Sequence, residues 1–221
     1  MTPITRRTFA LGTAALALVP ATPSLAQQVA SRSFQILRGT EPIGTHTVTA
    51  QRMADGGMTS TTSVDIAVKR LGFTVYSYTL SATEVLDSTG ALVSATGKCD
   101  DDGDAEFVDV TRNGDTLMVN GSSYQGAAPL AAATPSYWRM GALRNTPWIS
   151  TQSGELLAVT ASQVSSPEAP AGATAYRVTD GAEYTTDIFY DTRGEWIGSA
   201  FDAKGERATI VMVSETGALA V

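Results

Sequence analysis

Turn signals recur along this chain at intervals that leave room for strands and little else. They are Gly39-Thr40-Glu41-Pro42, Ala54-Asp55-Gly56-Gly57, Asp87-Ser88-Thr89-Gly90, Asn113-Gly114, Asn120-Gly121, Asp180-Gly181, Asp191-Thr192-Arg193-Gly194 and Ala203-Lys204-Gly205. Asn-Gly and Asp-Gly favour tight hairpins because both central residues tolerate positive φ. Between the turns the apolar period is two: Val64, Ile66 and Val68 alternate with Ser63, Asp65 and Ala67. Parallel pairing needs a crossover of a dozen or more residues, so such short connections demand antiparallel neighbours. The expected fold is all-β and mainly antiparallel, a curved meander sheet or incomplete barrel of about ten strands. An open sheet of that size must curl to bury its apolar face and protect its edges.

One stretch breaks the rhythm. From Ala127 to Arg144 the chain turns Ala-rich and then reads Thr134-Pro135-Ser136-Tyr137-Trp138-Arg139-Met140. Thr134 suits an N-cap and Pro135 the first helical turn. A short helix over 135–144, lying across one mouth or the concave face of the sheet, is the expectation.

Residues 1–26 have the pattern of an export signal. Arg6-Arg7 forms a twin-arginine pair, an apolar run from Phe9 to Val19 follows, and Ser24-Leu25-Ala26 offers a small-x-small cleavage site. The run is too short to span a bilayer. This predicts the twin-arginine export machinery as a transient partner, cleavage near Ala26, and a periplasmic or secreted single β-rich domain over 27–221. The net charge is −7; losing the two arginines of the signal takes it to −9. An acidic surface without a basic stripe argues against nucleic acid. Cys99 is the sole cysteine, so no internal disulfide forms.

The chain carries few of the usual catalytic motifs. No Gly-x-Ser-x-Gly elbow and no Gly-x-Gly-x-x-Gly loop occurs. Gly97-Lys98 is followed by Cys99 and spaced wrongly for a phosphate loop. A single histidine, His46, excludes the usual zinc sites; it reads as a sheet-surface or satisfied residue, with a pH-sensing or catalytic imidazole as the other reading. Asp100, Asp102 and Asp104 form the one cluster that could hold a hard cation. An EF-hand register through Gly103 places Lys98 where a carboxylate ligand is needed, so a solvated hairpin tip is the simpler reading. No metal and no cofactor is expected.

The aromatic residues say more. Phe73 and Val75 lie on one face of a strand whose other face carries Tyr76, Tyr78 and Leu80. A strand apolar on both faces needs cover on both; one of them could line a cavity for an apolar ligand. Tyr76, Tyr78, Tyr137, Trp138 and Trp148 are the candidate lining.

Four elements, Gly39-x-x-x-Ile43-Gly44, Val68-Lys69 with Tyr76-Ser77-Tyr78, Pro135-Ser136-Tyr137-Trp138, and Thr151-Gln152-Ser153-Gly154-Glu155-Leu156-Leu157, together resemble an uncharacterised family of exported bacterial proteins known only as a domain of unknown function. The resemblance spans about 33–213. It implies export and β architecture, and brings no activity. In plan, a meander with one crossing helix is also similar to the periplasmic lipoprotein carriers of the outer-membrane localisation system, a likeness of fold only.

The expected function is therefore a non-catalytic envelope protein that binds a lipid or other apolar ligand on the concave face. One alternative is a structural module docking on an envelope protein partner. The other is a carboxylate-based hydrolase, with or without calcium at 100–104.

Overall fold

The computed structural model describes residues 29–218, apart from Glu183 and Lys204; the export signal expected over 1–26 lies outside these. Most of the turn signals named above sit between strands, whereas Asn120-Gly121 ends one. In order these are β1 (Val29–Arg38), β2 (Glu41–Arg52), β3 (Met58–Arg70), β4 (Phe73–Leu86), β5 (Leu92–Asp101), β6 (Asp104–Asn113), β7 (Thr116–Gly121) and β8 (Gln125–Pro129). After an irregular stretch come β9 (Trp148–Ile149), β10 (Leu156–Leu157), β11 (Thr160–Val164), β12 (Thr174–Thr179), β13 (Thr185–Tyr190), β14 (Trp196–Ala203) and β15 (Glu206–Thr216).

Among the described residues thirteen strands form one antiparallel sheet ordered β11-β12-β13-β14-β15-β1-β2-β3-β4-β5-β6-β7-β8, and β9 and β10 form a small second one. The large sheet is not closed into a barrel; β8 and β11 are its edges. It is two meanders joined where the first strand meets the last, with Phe34 opposite Met212 and Ile36 opposite Ile210. Arg32 pins that seam. Its side chain is fully buried, with Nη2 2.7 Å from a Glu195 carboxylate oxygen and Nη1 2.6 Å from one of Glu215.

Alternation sends one face of each long strand inward. His46 and Val48 of β2, Val64 and Val68 of β3, and Ala82 and Leu86 of β4 are buried. The apolar core also takes in Phe34, Trp138, Trp148 and Trp196.

The expected helix is largely a turn. Only Met140–Arg144 is helical, and it is a 3-10 helix. The hydroxyls that would have capped an earlier start are engaged elsewhere, since Thr134 and Ser136 both donate to the Glu84 carboxylate. The residues from 130 to 159 nonetheless lie over the sheet as expected of the crossing segment. The carbonyls of Thr151 and Ser153 approach Gly97 and Gly121 so closely that a Cβ at either glycine would overlap them.

The Asp87–Gly90 and Asp191–Gly194 turns share one geometry. The side chains of Asp87 and Asp191 each accept from two backbone amides further along the turn.

Candidate functional site

Strand direction decides where the interior opens. Because every pairing in the large sheet is antiparallel, the turns at 39–40, 71–72, 102–103 and 180–184 lie at one end, and those at 53–57, 87–91 and 191–195 at the other. Arg139 Nη1 donates to the Gly90 carbonyl at 2.9 Å, tying the crossing segment to the second end. Beneath it runs a cavity of about 1050 Å³, at the upper limit of ordinary small-molecule sites. Its lining continues to Arg38, Arg70, Ser123, Asp180 and Glu206, all beside turns of the first end, which is the mouth.

The walls are apolar: Ile36 and Ile43 from the first hairpin, Val64, Ile66 and Val68 of β3, and Leu80 and Ala82 of β4. Tyr76 and Tyr78 line it with them, on the inward face that alternation gave them. Tyr78 is oriented by a hydrogen bond from its hydroxyl to Gln152 Oε1 at 3.3 Å. Burial raises both phenols well above their ordinary values, so both are neutral donors. Tyr137 and Trp138 also line the cavity, from the crossing segment. The Tyr137 hydroxyl lies 2.6 Å from that of Tyr184, and the Tyr190 hydroxyl donates to the Tyr137 carbonyl.

Trp148 stands differently. It is completely buried behind the lining, against the rings of Tyr137 and Tyr184, with Nε1 donating to the Ala142 carbonyl. It is wall rather than lining. The cover expected on both faces of β4 is also lacking at one end: Phe73 is 75% and Val75 50% exposed.

Sequence reasoning missed the polar centre of the cavity. Glu84 is buried, and its carboxylate accepts from Ser136 Oγ at 2.6 Å, from Ser60 Oγ at 3.1 Å and from Thr134 Oγ1. Burial pulls the Arg139 guanidinium below its usual value, and the Glu84 charge opposes that shift. The signal was available in the alternation, because 78, 80, 82 and 84 share one face.

His46 faces the same cavity. It is buried, with ring centroids 5.1 Å from Trp196 and 5.9 Å from Phe34, and its Nε2 has no hydrogen-bond partner among the described residues. Desolvation lowers its pKa to about 4. Neither a sheet-surface position nor a satisfied histidine describes it, and among the described residues no Ser–His pair forms around it. Cys99 is buried, and burial pushes its thiol up to about 11, the opposite of what a reactive thiolate needs.

The acidic run does not gather into a metal site. Asp100 Oδ1 accepts from the Gly103 amide and Asp102 Oδ1 from the Ser77 amide, so these carboxylates hold the β5–β6 turn. No group of three potential ligands is found among the described residues, and none of their helices is long and apolar enough to cross a membrane.

Comparison with known proteins agrees with this architecture. A crystal structure of a β-barrel-like protein of the domain of unknown function DUF1849 from Brucella abortus is similar at a TM-score of 0.55 and 11% identity, over 86% of this chain and 97% of that one. A DUF1089 family protein from Pseudomonas aeruginosa matches over 86% of this chain and 95% of its own, with a TM-score of 0.39 and 13% identity. The first likeness shows the fold alone. No curated protein matches. The model of a domain of unknown function, DUF6134, matches residues 34–213, and the chain belongs to that family.

Proposed function

We propose that this is an exported, non-catalytic protein that holds a lipid or other apolar molecule in the cavity beneath its curved sheet. One observation carries the reading: about 1050 Å³ of apolar-walled space, open at one end, where a structural module would pack its side chains together. Apolar walls with a few placed polar groups are the ordinary composition of a ligand site. Here the polar groups include the Tyr78 hydroxyl, Gln152, His46 and Glu106, with the Glu84 cluster at the inner end. An acyl or isoprenoid chain fits the walls, and a hydroxyl or amine on it could meet Glu84. The twin-arginine pattern at Arg6-Arg7 supports export.

The test is organic extraction of the purified protein followed by mass spectrometry, beside a Val64→Trp variant that fills the cavity. A stoichiometric apolar compound in the wild type, absent from a variant that remains folded, is the expected result. A wild-type protein that carries nothing and does not bind a polarity-sensitive fluorescent fatty acid overturns the proposal.

A further inference from the structure

The β3–β4 hairpin runs on past the rungs that join it to its neighbours. The last rung joining β3 to β2 is Gly44–Ile66, and the last joining β4 to β5 is Tyr78–Asp101. Residues 67–76 therefore form a two-stranded ribbon without a flanking rung, and its tip lies roughly 15 Å past those last rungs at about 3.3 Å per residue. At that tip Leu71 is 98% exposed, beside the exposed Phe73 and Val75. Leu71 and Gly72 both hold positive φ, at 52° and 84°. Such a turn suits Asn-Gly, and this chain places Asn-Gly at 113–114. A leucine in that conformation, in contact with water, gains nothing from the fold.

Charge singles out the same ribbon. No acidic residue occurs between Asp65 and Glu84, whereas Lys69 and Arg70 flank the tip, in a chain whose net charge is −7. The neighbouring β1–β2 hairpin adds no net charge, because Arg38 there pairs with Glu41 at 3.0 Å. The acidic β5–β6 turn sits level with Ser77, which Asp102 bonds. That is farther from the tip than the ~8 Å over which charges act at physiological salt. An apolar point with a cationic collar matches one surface: acyl chains beneath anionic headgroups.

We propose that the β3–β4 tip is a membrane contact. Leu71, Phe73 and Val75 enter the acyl boundary of an anionic lipid surface, while Lys69 and Arg70 meet the phosphates. The ribbon stands beside the cavity mouth, which Arg70 and Val75 also line, yet its insertion does not depend on what the cavity holds. The two readings can therefore fail separately.

Leu71→Trp in the full chain reports from the tip itself, since Trp138, Trp148 and Trp196 are buried and their emission, measured in the wild type, is the baseline. With phosphatidylglycerol-containing vesicles, the added emission shifts to the blue and is quenched by brominated acyl chains. A cation near an anionic surface contributes about fivefold in affinity, so Lys69→Ala/Arg70→Ala in that background lowers partitioning roughly 30-fold. Binding to pure phosphatidylcholine is unchanged by that pair. Emission that stays at its position in water with every lipid overturns the proposal. So does a shift that depends on protein concentration without lipid, which would assign the tip to a second copy of the chain.

Discussion

His46 ties stability to pH in a way that can be isolated, because it is the one histidine in the chain. In the folded protein it is buried against Phe34 and Trp196, and desolvation lowers its pKa to about 4; unfolded, it titrates near 6.5. Between those values the unfolded chain binds the extra proton. Its contribution is thus fully present above about pH 6.5 and is lost as pH falls towards 4. The 2.5-unit difference amounts to ~3 kcal/mol at 1.36 kcal/mol per unit. His46→Leu keeps an apolar group of similar size against Phe34 and Trp196 and removes the titration. Urea unfolding followed by tryptophan fluorescence from pH 7.5 to pH 4 should show the wild type losing about 3 kcal/mol more than the variant. The carboxylates titrate in both proteins and cancel in the difference. At pH 7.5 the variant should match or exceed the wild type, since an unpartnered buried nitrogen has gone. Parallel stability curves, or a single imidazole NMR titration near 6.5, would refute the reasoning.

Five further substitutions probe three other parts of the design. Glu84→Ala leaves Ser60, Thr134 and Ser136 without their shared acceptor and should cost about 3 kcal/mol in urea unfolding, against about 1 for Ser136→Ala; equal costs would show that the carboxylate is not the hub. Gly97→Ala drives a methyl group into the Thr151 carbonyl and should lower stability by about 1–3 kcal/mol, so an unchanged midpoint would mean the 150–154 segment is not seated there. Arg32→Met removes the buried guanidinium that Glu195 and Glu215 share at the β1–β15 seam, costing roughly 3–5 kcal/mol. Glu215→Gln, at a 40% exposed partner, should cost under about 1 kcal/mol, and a reversal of that order would refute the assignment of Glu195 as the buried anchor.

The hairpins were legible because the code for them is local. Two-residue alternation and Gly-bearing turns act over about ten residues, and most of the adjacent strands follow from them. The turn at Leu71-Gly72 carries no such polar signal, and β9 and β10 are two residues each, too short to show a period. The β1–β15 seam had no local signal at all. Phe34 and Met212 face one another across most of the chain, and such a pairing becomes visible only when both meanders have curled. Helix signals at Thr134 and Pro135 misled for a physical reason: a hydroxyl that caps a helix can equally serve a buried carboxylate, and here Glu84 takes it.

The cavity was legible in part for the same reason. Parity put Tyr76, Tyr78 and Leu80 on one face, and the curl of the sheet turned that face inward. The same parity carries Glu84 inward two rungs beyond Ala82, so an acid on an otherwise apolar face was the available sign of a polar centre. Trp148 shows the limit of residue type as a guide. An indole suits a ligand wall and a packed core equally well, and only the Ala142 carbonyl, which satisfies its N–H from behind the wall, assigns it to the core. Leu71 shows the converse. A large apolar residue followed by glycine reads as ordinary strand-end sequence until the rungs on either side of the hairpin are seen to stop short of it. The information that separates a lining residue, a wall residue and an outward-facing tip therefore lies in the register of neighbouring strands, not in the strand that carries them.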